Sequence, residues 1–266
     1  MTIKANRYAA MFKNLNAKQE AAFIPFTTLG YPDKARSLEI IENMIADGAD
    51  ALELGIPFSD PVADGPVIQA ANIKALDAGI TPDDCFDIIA AVRANAPSTP
   101  IGLLVYANLV IGPGSDQFFA KAAKSGVDSV LVADIPFKEI NTIDQSAAAH
   151  GIDLVLILPP NASETTIQAV AKASQGYTYL LSRAGVTGTE TAAGMPLDHL
   201  LDGLKRHGGA PAVLGFGISG PDDVRDAVKA GVGGVISGSA VVKAIEAGTE
   251  RAFVSEMKSA TASAAC

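Results

Sequence analysis

Ala22-Phe-Ile-Pro-Phe-Thr-Thr28 opens the stretch that decides the fold: an apolar run, then a segment with Leu38, Ile41 and Ile45 at i, i+3 and i+7, then Ala51-Leu-Glu-Leu-Gly55. The spacing of the middle segment sets one apolar stripe on a helix, with Glu39, Glu42 and Asp47 elsewhere on it. The flanking runs are short and β-prone, and they are bounded by Gly, Pro or Asp. Together they read as a strand, a covering helix and a second strand.

The same unit repeats outward to both ends of the chain. Strands are expected at Ala22–Thr28, Ala51–Gly55, Ile101–Ala107, Ser129–Ala133, Leu154–Leu158, Tyr177–Ser182, Ala212–Phe216 and Gly234–Ser237. Several lack polar alternation, as parallel strands covered on both faces should. Ser163, Pro196 and Pro221 stand where helices should start, and Gly48, Gly126, Gly151 and Gly231 where they should end. Eight βα units spaced roughly 25 to 30 residues apart predict a (β/α)₈ TIM barrel. An open doubly wound sheet is built from the same units, but no G-x-G-x-x-G follows the first strand, where Pro25, Phe26 and Thr27 stand instead. No boundary linker appears, so residues 1–266 are expected to form a single catalytic barrel domain.

Composition narrows the function. The chain has 266 residues, 48% of them hydrophobic and 18% charged, enough for one large core. Twenty basic against 29 acidic residues leave a net charge of −9, which disfavours nucleic acid and anionic membranes as partners. A small anion remains possible as a ligand, because backbone amides can hold it. Cys85 and Cys266 are the only cysteines, too few for a disulfide framework or a multi-cysteine metal site. With no signal-like start and no apolar run long enough to span a bilayer, a cytoplasmic protein is expected.

In a barrel the chemistry sits in the loops after the strands. Glu53 lies between Leu52 and Leu54, and the alternation of a strand aims it into the barrel mouth. Burial there raises a carboxyl pKa toward neutrality, as general acid–base catalysis requires. Asp60 and Asp64 follow in a loop stiffened by Pro57, Pro61 and Pro66. Spacing alone leaves two readings of Asp64 open: a turn residue before Gly65, or a second working carboxylate. Glycines crowd the last three strand ends, at Gly185 and Gly188, Gly215 and Gly217, and Gly231 to Gly238, a pattern suited to phosphate. Residues 183–195 form a connection long enough to serve as a lid. No lysine lies in a candidate strand and no histidine at a strand end, which argues against a Schiff base or a histidine metal site.

Glu53 to Pro66, Tyr177 to Gly188 and Gly215 to Ser219, joined by Ala22 to Gly30, Pro100 to Asn108 and Ile236 to Lys243, resemble the tryptophan synthase alpha chain family almost end to end. The resemblance implies a lyase of tryptophan biosynthesis that splits indole-3-glycerol phosphate into indole and glyceraldehyde 3-phosphate, with no metal and no cofactor of its own. It implies Glu53, Asp64 and Tyr179 as catalytic residues. Phe23, Leu104, Phe216 and Ile236 would wall the indole pocket, and Gly188, Gly217, Gly238 and Ser239 would hold the phosphate. Thr187 would serve the lid. Pro57, Phe58, Asp60, Asn108 and Pro136 would face a pyridoxal-phosphate-dependent beta chain that receives indole in an α₂β₂ tetramer. Val67 departs from the threonine many members carry.

Overall fold

A computed structural model describes residues 6–181 and 197–262. Among the described residues nine strands form one parallel sheet: β1 (Ala22–Thr28), β2 (Leu52–Gly55), β3 (Ile101–Val105), β4 (Ser129–Val132), β5 (Asp153–Leu154), β6 (Leu156–Leu158), β7 (Thr178–Leu181), β8 (Ala212–Gly215) and β9 (Gly234–Ser237). Their order is β5-β4-β3-β2-β1-β9-β8-β7-β6. The two ends of that order are halves of one expected strand, interrupted at Val155. β5 pairs with β4 through Ser129↔Asp153 and Val130↔Leu154, while β6 pairs with β7, so the single segment brings the sheet round into a (β/α)₈ barrel.

Register fixes which side chains share the interior. Phe26 pairs with Glu53, Glu53 with Gly102, and Gly102 with Ser129. Across the barrel Ile24 pairs with Ile236, and Tyr179 with Val213. Because side chains alternate along a strand, these residues point inward and their chain neighbours point toward the helices. Phe23, expected to wall the pocket, is therefore on the helix side of β1, fully buried there and turned from the barrel interior; Phe26, level with Glu53, faces the interior instead.

Other boundaries move for local reasons. β3 stops at Val105 and the chain turns into a short helix, Ala107–Ile111, whose first amide donates to Asp134 Oδ1 at 2.7 Å. β8 stops at Gly215 because Phe216 and Gly217 both take positive φ, 67° and 76°. The helix Lys34–Ala46 buries Ile40, Ile41 and Met44, so its packed face is turned from the expected Leu38–Ile45 stripe. Ser163 caps Glu164–Ala173 by accepting from the Thr166 amide, and Pro221 opens Pro221–Lys229, both as read from the sequence. Pro196 lies outside the described residues.

The first helix, Arg7–Lys18, closes the N-terminal mouth of the barrel with Tyr8, Met11, Phe12 and Leu15. At that end Asp128, 6% exposed, takes ion pairs from Arg7 at 2.6 Å and Arg93 at 2.7 Å, and its carboxylate accepts the Ile101 amide at 2.9 Å. This pins the start of β3 to the start of β4. Among the described residues no helix is long and apolar enough to cross a membrane.

Candidate active site

Glu53 is 1% exposed. The Tyr177 hydroxyl donates to its Oε1 at 2.8 Å. Desolvation is the larger influence and pushes the carboxyl up to about 7, aided by the nearby Asp64 charge and opposed by the Tyr177 bond. Tyr177 rests on Tyr8, ring centroids 5.4 Å apart, and the Tyr8 hydroxyl shares a 2.9 Å hydrogen bond with Ser129. A Cβ at Gly102 would stand 2.9 Å from both the Tyr8 and Ser129 oxygens, so glycine beside Glu53 is what leaves this polar column room.

Asp64 ends a loop folded by the amides of Val62 and Asp64, which donate to Asp60 and Pro61 carbonyls. The turn reading is thus correct for its backbone. The side chain is nevertheless 7% exposed. It accepts from Asn72 Nδ2 at 3.4 Å. Burial raises its pKa to about 6 against the pull of the neighbouring Tyr106 hydroxyl and Asn72 amide. Gly65 and Pro66 then start the helix Pro66–Asp77, which carries Asn72.

Tyr179 is buried, and the charges of Glu53 and Asp64 both bear on it and, with burial, hold its hydroxyl well above the usual range. A Cβ at Gly215 would fall 2.0 Å from the Tyr179 oxygen, so the β8 glycine makes the space this ring occupies. The tyrosine bonded to Glu53 is Tyr177, two positions earlier on the same face, and the sequence reading passed over it. Tyr106, Asn72 and Phe26 were likewise passed over. For Phe26 the signal was available, since strict alternation from Glu53 through the β1–β2 pairing selects it over Phe23.

Leu104 and Ile236 point into the barrel, Leu104 half-buried opposite Gly55 and Ile236 buried. Phe216 and Gly217 form the turn above β8, and Ser237 Oγ donates to the Ile218 carbonyl at 2.7 Å, tying that turn to β9. Gly238 and Ser239 begin the helix Ser239–Ala247, whose N-terminus has no side-chain cap. Thr187, Gly188 and residues 183–195 lie outside the described residues.

Of the residues expected to face a partner, Asp60, Asn108 and Pro136 are exposed, and Phe58 is half-buried with its ring stacked 5.2 Å from Tyr106. Pro57 is buried within the chain, at the foot of the loop, so it offers no docking surface. Val62 at 69%, Ile111 at 52% and Phe137 at 36% add exposed apolar side chains to the loops after β2, β3 and β4.

The arrangement is two buried carboxyl groups, one near neutrality and one just below it, in an apolar barrel mouth with a helix N-terminus on the far rim. It suits proton transfer to and from a neutral ring that carries an anionic tail.

Comparison with known proteins agrees. The sequence profile of the family described as "Tryptophan synthase alpha chain" matches residues 12–265. The tryptophan synthase alpha chain of Aliivibrio fischeri is 58% identical over 241 residues, 91% of this chain and 90% of the relative. That of Francisella tularensis is 53% identical over 265 residues, 96% and 98%. Among solved structures, Mycobacterium tuberculosis tryptophan synthase superposes with a TM-score of 0.89 at 27% identity, covering 98% of this chain and 100% of the other. The Legionella pneumophila alpha chain gives 0.85 at 28%, covering 96% and 97%. With the profile spanning nearly the whole length and relatives above 50% identity, the chain belongs to the tryptophan synthase alpha chain family.

Proposed function

We propose that Glu53 and Asp64 are the acid–base pair of the family's lyase reaction, the cleavage of indole-3-glycerol phosphate to indole and glyceraldehyde 3-phosphate. The observation that carries this reading is the pairing of a buried carboxyl titrating at about 7 with a second at about 6 within electrostatic reach. Protonated Glu53 gives its proton to indole C3, and ionised Asp64 accepts the ring N–H and stabilises the positive charge that results. Glu53, now a carboxylate, takes the proton from the hydroxyl on the side-chain carbon attached to the ring. That carbon becomes the aldehyde as its bond to C3 breaks, and the electron pair returns to the ring to restore indole. Glu53 ends protonated, as it began.

Phe26, Leu104, Phe216 and Ile236 wall the indole ring, and Tyr179 lies beside the reacting carbons. Gly217, Gly238 and Ser239 present amides and the helix N-terminus to the phosphate. The pocket is apolar where the ring lies and rich in amides where the phosphate lies.

A beta chain is the partner of a tryptophan synthase alpha chain. Asp60, Asn108, Pro136 and Phe58, with exposed Val62, Ile111 and Phe137 on the same loop set, form the docking face for it. An α₂β₂ tetramer with pyridoxal phosphate on the beta chain completes the reading. Indole release by the purified chain, assayed with and without the beta chain, tests it. Cleavage that rises when the beta chain is added supports both catalysis and docking; no cleavage in either assay rejects the reaction.

A further inference from the structure

Tyr106 stands at the end of β3, 2% exposed, immediately before the short helix that Asp134 caps. Its hydroxyl accepts the Ala63 amide at 3.2 Å and sits beside the Asp64 carboxylate, whose charged form it favours. Its ring stacks on Phe58 with centroids 5.2 Å apart and planes inclined by 23°. One side chain anchored on a barrel strand thus grips the 58–64 loop at three points: an aromatic ring at its start, the amide next to Asp64, and Asp64 itself.

We propose that Tyr106 is a positioning residue for the lyase reaction, holding the Asp64 carboxylate in its ionised, ring-facing state and coupling it to the loop that meets the partner chain. The inference rests on the role assigned to Asp64 above. Among the described bonds the donor to that carboxylate is Asn72, at 3.4 Å. The charged and titratable groups that bear on Asp64 and Tyr106 are Glu53 from β2, Tyr179 from β7 and Asp134 from the loop after β4. All of these are acidic, so loss of the Tyr106 hydroxyl has no cation to offset it. Stacking fixes the ring; the hydroxyl does the electrostatic work.

Tyr106→Phe keeps the ring on Phe58 and removes only the oxygen. Its loss should cut kcat on indole-3-glycerol phosphate by roughly fivefold near pH 6, as the ionised fraction of Asp64 falls from about one half to about one tenth. The acidic limb of the kcat profile should move up by about one pH unit, with KM little changed, because the carboxylate loses a hydroxyl that favours its charged form. A merely structural tyrosine would lower thermal stability and leave that limb in place. Asp64→Asn, measured in parallel, separates the two claims. An inactive Asp64→Asn with an unmoved limb in Tyr106→Phe overturns the positioning role alone; an active Asp64→Asn removes the reading of Asp64 on which it rests.

Discussion

A carboxyl group at 1% exposure between Leu52 and Leu54 resists ionisation, and Glu53 retains its proton to about pH 7 instead of the ordinary 4.5. The folded chain binds that proton more tightly than the unfolded chain does. The stability it contributes is therefore present below pH 4.5 and is lost as the pH rises through 7, a change of roughly 3 kcal/mol. Glu53→Gln keeps an oxygen for Tyr177 and removes the titration. The variant is expected to gain up to about that much at pH 8 and little at pH 4.5, read by urea unfolding at the two values. The same substitution should lower turnover by roughly 10²–10⁴-fold, the usual weight of a general acid–base group. Stability and activity moving in opposite directions at one residue is the mark of a functional carboxyl. Asp64 limits the other side of the profile. In the proposed reaction Asp64 is ionised and Glu53 protonated, so kcat/KM of the free chain should be bell-shaped, with limbs at about 6 and about 7.

At the level of elements, β7 and β8 fit together through an absence. Gly215 has no side chain where the Tyr179 hydroxyl lies, and a Cβ there would stand 2.0 Å from it. Gly215→Ala should displace the ring and reduce kcat at least tenfold while the barrel still folds, which circular dichroism and steady-state assays would separate. At the opposite end, Asp128→Ala leaves Arg93, 13% exposed, without its carboxylate, and should cost about 3–5 kcal/mol in denaturant unfolding with no direct effect on the site. These elements also show what sequence can convey. Seven of the eight expected strands fall close to their observed places, because glycine, proline and apolar runs are local signals. The division of the fifth at Val155 is not local: it follows from having to join β4 on one side and β7 on the other. Glu53 could be picked out by a charge inside an apolar strand. Tyr177, Tyr106 and Asn72 could not, since each becomes a site residue only through contacts 124, 42 and 8 residues along the chain, respectively. Phe23 and Phe26 differ only in strand parity, which the register settles.

On the scale of the whole molecule the two ends of the barrel divide the labour. The N-terminal mouth is sealed by the first helix and by the Asp128 ion pairs, and it holds the frame. The C-terminal mouth collects Glu53, Asp64, Tyr179 and the uncapped helix at Ser239, beside loops after β2, β3 and β4 that expose Val62, Ile111 and Phe137. On the proposed reading catalytic and docking surfaces share those loops, so a partner seated on them would bear directly on the aspartate loop. Whether Glu53 carries the proton transfers of indole-3-glycerol phosphate cleavage is read from the indole released by the purified chain and by Glu53→Gln, each with and without the beta chain. Wild-type cleavage should rise with the partner and fall by roughly 10²–10⁴-fold in the variant under both conditions; cleavage by Glu53→Gln at a rate close to wild type removes Glu53 from the reaction.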